Sequence, residues 1–273
     1  LPISKCKSLE KATREVVAQN NIDATITKVE DIMEIMNFNV MTTPALVVNG
    51  KVVVKGRIPS NDELKQNWKV PEPTLRRLPW YLAFVKLLKQ RGETSISSTQ
   101  IAKEINVDAS QVAKDLSYVN ISGKTRVGYE IDTLIDVLEN FLGFNSSHKA
   151  FLFGVGSLGA ALLQDTGLGQ YGLEIVAGFD IREELSGTSV NGIPVYHMSE
   201  LSTMQKRYGA TIGIIMVPVD KAQEVTNHII TEGIKALWNF TPFRIRVPEH
   251  IVVQNTSLYA HLALMFNRMN STN

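Results

Sequence analysis

With 273 residues, 44% hydrophobic and 20% charged, the chain can bury a substantial core and build two or three domains, which excludes a disordered polypeptide. Lysine plus arginine number 28 against 27 aspartates plus glutamates, so no global charge advertises a nucleic-acid or membrane partner, and any DNA contact must come from a local patch. There is no apolar run of about 18 residues and no charged-then-apolar leader, so the expectation is a cytoplasmic protein with no membrane span, and the single cysteine, Cys6, rules out an intrachain disulfide.

Residues 1–68 read as a helix over 7–19, a strand over 24–29, a short helix over 32–36 and then "TTPALVVNGKVVVKG". The last stretch is two β-rich runs joined by Asn49-Gly50, a two-residue turn in which both positions tolerate positive φ. The segment resembles the small thioredoxin-like redox proteins, in which a short Cys-x-x-Cys motif precedes the first helix and a Thr-Pro pair, here Thr43-Pro44, carries a cis proline before a strand. Ile3 stands at the first cysteine position and Cys6 at the second, so a mixed disulfide has no resolving thiol within the chain. The fold also has a strand ahead of the motif, which residues 1–68 do not supply, so either the true start lies upstream or the domain is a remnant. The expectation is therefore a partial thioredoxin-like α/β segment, structural or vestigial, with a thiol-responsive input through Cys6 pairing between subunits as the alternative.

"NWKVPEPTLRRLP" carries Pro71, Pro73 and Pro79, which argues against one continuous helix and for a domain boundary near Val70. Beyond it, Leu75, Leu78, Leu82, Val85 and Leu88 recur at helical spacing up to a glycine stop at Gly92. In "SSTQIAKEINVDASQVAKDLSYV", a helix capped at Ser98 or Thr99 runs to Ile105, a turn follows, and a second helix is capped at Ser110. This is the helix-turn-helix pattern, whose second helix enters the major groove. "NISGKTRVGY" then places Lys124 and Arg126 in a glycine-flanked hairpin suited to touching phosphates.

From Lys149 the pattern is βαβ. A strand over 150–153 meets Gly154-Val155-Gly156-Ser157-Leu158-Gly159, a helix follows over 157–164, and the strand "LEIVAGFD" ends at Asp180. Gly154 permits the tight turn, Gly156 lets a pyrophosphate approach the backbone, Gly159 lets helix pack on strand, and the helix N-terminus offers free N–H groups to an anion. Asp180, 21 positions after Gly159, has the place of a carboxylate that accepts ribose hydroxyls and repels a 2′-phosphate, so NAD(H) is expected over NADP(H), a preference that Arg182 close by tempers. The stretches "NGIPVYH", 198–208, "TIGIIMVP", 220–232 and "IKALWNF" continue an open parallel sheet, with Val217-Pro218 and Asn239-Phe240 at the carboxyl edge where ligands bind.

A dehydrogenase also needs an acid or base beside the nicotinamide. None of the five histidines, His148, His197, His228, His250 and His261, stands in such a constellation, so binding without turnover is favoured over a small NAD-dependent oxidoreductase.

"TLRRLPWYLAFVKLLKQRG", "ISSTQIAKEINVDASQVAKDLSYV", "GKTRVGY", "FLFGVGSLGAALL", "NGIPVYH" and "WNFTPFRIRVP" together resemble, in order and spacing, the Rex family of redox-sensing transcriptional repressors over residues 73–270. The resemblance implies a winged-helix DNA-binding domain over 73–147, a Rossmann NAD(H)-binding domain over 148–256, and a terminal helix over 257–273 exchanged in a homodimer that binds operator DNA and lets go with NADH. It assigns Ser110, Gln111, Lys114 and Ser117 to the recognition helix and Lys124 and Arg126 to the wing. Gly154, Val155, Gly156, Ser157, Leu158, Gly159 and Asp180 are assigned to the dinucleotide, and Val217, Pro218, Asn239 and Phe240 to the neighbourhood of the nicotinamide. Two departures stand out: Val112-Ala113-Lys114-Asp115 where relatives often read Val-Arg-Lys-Asp, and Ser257 where many have an aspartate able to pair with an arginine of another domain.

Overall fold

The computed structural model describes residues 3–19, 24–38, 40–48, 51–61, 63–64, 70–119, 121–124 and 126–271. It divides into two compact units, 1–142 and 143–273, so the boundary expected near Val70 falls inside the first.

In the first unit, α1 (Ile3–Gln19) begins before the expected start and takes Cys6 into the helix, where it is half-buried. α2 (Ile32–Asn37) is capped by Asp31, and β1 (Ala45–Val48) pairs antiparallel with β2 (Lys51–Lys55) after a cis Thr43–Pro44 bond. The Asn49-Gly50 turn lies outside the described residues. The strand expected over 24–29 does not form: residues 24–30 have no hydrogen-bonded neighbour strand among the described residues, and alternation without a partner makes no sheet.

α3 (Glu72–Gln90) runs straight through two of the three prolines. Pro71 caps it and Pro73 sits in its first turn, where the missing N–H is unpaired in any helix. Pro79 is internal and is tolerated because Leu78, Tyr81, Leu82 and Val85 around it are fully buried. Leu75, expected on the apolar stripe, is exposed.

α4 (Ser98–Ile105) and α5 (Ala109–Ser117) form the helix-turn-helix, with β3 (Ser95–Ile96) and β4 (Tyr129–Glu130) pairing antiparallel and α6 (Ile131–Leu142) closing the core. The caps fall earlier than expected. Ser97 and Gln100 make a reciprocal capping box for α4, and the Asp108 carboxylate accepts the Ser110 N–H at 2.9 Å at the head of α5. Between the helices Asn106 takes positive φ.

The second unit is a seven-stranded sheet built from β5 (His148–Phe153), β6 (Leu173–Asp180), β7 (Ser189–Val190), β8 (Ile193–His197), β9 (Ile212–Ile215), β10 (Ala236–Asn239) and β11 (Val252–Asn255). The strand order is β11-β10-β9-β5-β6-β8-β7, parallel throughout except for the β7–β8 hairpin. Leaving out β7, this is the 3-2-1-4-5-6 order of dinucleotide-binding folds, and its direction reverses between β5 and β9. α7 (Ser157–Gln164), α8 (Leu201–Tyr208) and α9 (Ala222–Thr231) cross over between strands. Two buried clusters, one centred on Phe151, Phe153 and Phe179 and the other on Leu152, Leu163 and Ile214, fill the two faces. α10 (Leu258–Ser271) ends the chain with no buried residue.

Candidate nucleotide and nucleic-acid sites

The glycine loop lies at the switch point. Gly154 has φ +96°, and a Cβ built on it would stand 2.6 Å from the Met216 carbonyl oxygen just past β9, so the loop after β5 presses against the end of the strand across the crevice. A Cβ on Gly159 would stand 2.1 Å from the Gly154 oxygen, whereas one on Gly156 would meet open space. Gly156 caps α7 with no side-chain hydrogen bond, and Ser157 and Leu158 are exposed in its first turn. The backbone is thus close-packed beneath the loop and open above it, which fits a pyrophosphate seated on the helix N-terminus.

Asp180 ends β6 at 8% exposure. Its Oδ2 accepts the Val155 N–H at 2.8 Å and Arg182 Nη2 at 3.1 Å, and its Oδ1 accepts the Arg182 N–H at 3.1 Å and Nε at 3.0 Å. Burial pushes its carboxyl pKa up, but the donors from Arg182 and Val155 outweigh it and hold the group below the usual carboxylate range. Val155, assigned to the dinucleotide, uses its N–H on Asp180 and its carbonyl on Arg182, so it ties the loop to the carboxylate.

On the far side of the crevice, Val217 is half-buried and Pro218 exposed. Asn239 is fully buried with its amide spent: Nδ2 donates to the Phe243 carbonyl and Asn255 Oδ1, and Oδ1 accepts the Thr241 N–H and hydroxyl. It shapes the loop beside half-buried Phe240 rather than offering a polar atom to a ligand.

In the first unit, α5 shows two faces. Val112 and Leu116 are buried, while Ser110, Ala113 and Lys114 are exposed and Ser117 is half-buried on the outer side. Gln111, assigned to DNA, points inward and donates to Asp115 Oδ1 at 2.8 Å. Asp115 itself is completely buried. It also accepts from Thr74 Oγ1 at 2.8 Å, Arg77 Nε at 2.6 Å, Arg77 Nη2 at 2.9 Å and the Tyr81 hydroxyl at 2.6 Å. This network fastens the recognition helix to α3.

Sequence reasoning missed the network. Its signal was the run Thr74, Arg77, Tyr81, polar groups at helical spacing within an apolar stripe. The wing is a tight hairpin, with Lys124 and Gly128 exchanging backbone hydrogen bonds at 2.8 Å, Arg126 at φ +67°, and both basic side chains exposed.

A family model described as a putative DNA-binding protein N-terminus matches residues 69–117, one described as a CoA binding domain matches 145–243, and one described as a thioredoxin domain matches 4–69. The redox-sensing transcriptional repressor Rex of Bacteroides fragilis is 68% identical over 76% of this chain and 94% of its own length, and that of Porphyromonas gingivalis 58% identical over 78% and 97%. The chain belongs to the Rex family of redox-sensing transcriptional repressors. Its winged-helix and Rossmann folds are also those of RSP, a Rex-family repressor. The RSP complex with β-NAD⁺ and operator DNA matches at TM-score 0.71 and 29% identity over 75% of this chain and 94% of its own, and the complex with β-NADH at 0.67 and 30% over 74% and 95%.

Membership decides against the oxidoreductase alternative, since the curated relatives are repressors. It also gives meaning to the two departures. Ala113 leaves an exposed gap between Ser110 and Lys114 on the outer face of the recognition helix. Ser257 caps α10, its hydroxyl accepting the Ala260 N–H at 3.2 Å, and it brings no carboxylate that could pair with an arginine. Arg76 pairs with Glu72 and Arg77 with Asp115.

Proposed function

We propose that this chain is an NADH-responsive repressor that acts as a homodimer on operator DNA in the cytoplasm. The observation that carries the reading is the joining, in one Rex-family chain, of a winged helix-turn-helix with a switch-point glycine loop hydrogen-bonded to a buried carboxylate. In this reading residues 73–147 bind DNA, 148–256 bind the dinucleotide, 257–273 pair the subunits, and 1–68 is a thioredoxin-like appendage.

Ser110, Lys114 and Ser117 face the major groove while Lys124 and Arg126 hold phosphates. Gln111 acts through Asp115, setting the angle of the helix. With the arginine of relatives replaced by Ala113, the recognition helix has one cation fewer, and the wing carries a larger share of the phosphate contacts. In the second unit the first-turn N–H groups of α7 hold the pyrophosphate, Asp180 accepts the adenosine ribose, and Val217, Pro218 and Phe240 line the nicotinamide end. α10 presents Leu258, Leu262, Met265 and Met269, each exposed, which supports pairing through that helix.

Fluorescence anisotropy on labelled promoter DNA across a salt series tests the DNA half of the reading. Wild-type protein is expected to bind with a steep inverse dependence on salt, and Lys124→Ala to weaken binding to every sequence while lowering the log–log slope by about one. Binding that does not depend on salt, or a slope unchanged by Lys124→Ala, would remove the wing from the interface.

A further inference from the structure

The carboxylate that recognises the ribose is already saturated. A carboxylate has about four lone-pair positions, and those of Asp180 are met by the Val155 N–H, the Arg182 N–H, Arg182 Nε and Arg182 Nη2. The two backbone donors are fixed by the loop and the strand end. Only the Arg182 side chain can withdraw, and it is 46% exposed at the lip of the crevice. A second hold, Nη2 to the Val155 carbonyl at 2.9 Å, keeps the guanidinium across the carboxylate.

We propose that Arg182 is a specificity-determining gate on this site: it competes with the adenosine ribose for Asp180 and, once displaced, offers its guanidinium to a 2′-phosphate. The inference rests on the reading of Asp180 as the ribose acceptor. A ribose diol has to take the two positions that Nε and Nη2 now occupy, so part of the free energy of NADH binding is spent breaking a charge-assisted bidentate pair. A ribose 2′-phosphate meets the opposite balance. Asp180 repels it, but Arg182 swung toward solvent presents a planar fork that suits phosphate. One residue therefore lowers the affinity for NADH and softens the rejection of NADPH. This chain then discriminates between the two less sharply than its acidic strand end alone implies, and the affinity for NADH sets the threshold at which the protein responds.

The test is titration of the full chain with NADH and with NADPH, following nucleotide fluorescence, for wild type, Arg182→Ala and Arg182→Lys. Arg182→Ala is expected to bind NADH about three- to tenfold more tightly and NADPH more weakly, so that the two affinities move in opposite directions. Arg182→Lys keeps the charge but loses the fork, and is expected to lie between. A merely structural role would move both affinities the same way. NADH affinity that is unchanged or weaker in Arg182→Ala overturns the inference while leaving the site in place. Wild-type protein that binds NADH no better than Asp180→Asn shows instead that Asp180 is not the ribose acceptor, and the inference falls with that reading.

Discussion

Asp115→Ala is expected to destabilise the first unit by about 3–5 kcal/mol and to abolish specific DNA binding. The carboxylate is completely buried and accepts five hydrogen bonds from four residues: two from Arg77 and one each from Thr74, Tyr81 and Gln111. Removing it leaves the half-buried Arg77 guanidinium without its partner and the buried Thr74 and Tyr81 hydroxyls without their acceptor, while half-buried Gln111 loses its tie. Breaking one side of such a pair costs more than the pair contributes. The recognition helix also loses its tie to α3, so the effect on DNA should exceed that of deleting an exposed contact.

The same carboxylate sets a pH dependence. Burial pushes the Asp115 pKa up, but hydrogen bonds from Arg77, Tyr81, Thr74 and Gln111 bring it below the usual value. A folded-state pKa below the unfolded value means stability that is present above about pH 4 and lost as pH falls below it. Chemical denaturation followed by circular dichroism should show wild type losing stability through that range and Asp115→Ala, already deprived of the contribution, losing less. A variant within about 1 kcal/mol of wild type at pH 7 would mean the network holds nothing together.

Gly154→Ala should remove nucleotide binding and cost the second unit about 2–5 kcal/mol, combining a backbone region rarely open to alanine with a forced overlap. The residue has φ +96°, and its added methyl would sit 2.6 Å from the Met216 oxygen and 2.8 Å from the Met216 carbonyl carbon. Relief requires the loop to lift from β9, which widens the switch-point crevice and shifts the Val155 N–H off Asp180. Gly156→Ala is the contrasting variant: nothing lies within 4 Å of its added methyl, so the fold should persist and only the approach of the pyrophosphate should suffer. Thermal melts with and without NADH separate the two, because ligand stabilisation should vanish in both while the ligand-free melting temperature drops only for Gly154→Ala.

Much of this was legible from short-range pattern. "LEIVAGFD" is β6 with its bounds unchanged, and the glycine loop lies between strand and helix as expected, because turn chemistry and apolar runs are local properties. The helix-turn-helix was legible for the same reason. Four details were not. The helix caps fell one or two residues early because Ser97 and Asp108 compete with equally polar neighbours, and only backbone geometry decides between them. Pro79 inside α3 is a tertiary override of a local rule. The stretch 24–29 had the alternation of a strand but, among the described residues, no neighbour to pair with. The Asp115 network joins residues 34 to 41 positions apart, and no periodicity reports a partner at that separation.

The account stands on an exchange between nucleotide and DNA, and a ligand shifts such an equilibrium only through unequal affinity for the two states. The decisive measurement is anisotropy of the full chain on labelled promoter DNA at one fixed salt concentration, titrated with NADH and separately with NAD⁺. The account predicts that NADH releases the DNA at concentrations where NAD⁺ leaves it bound. DNA held equally in both nucleotides would contradict it.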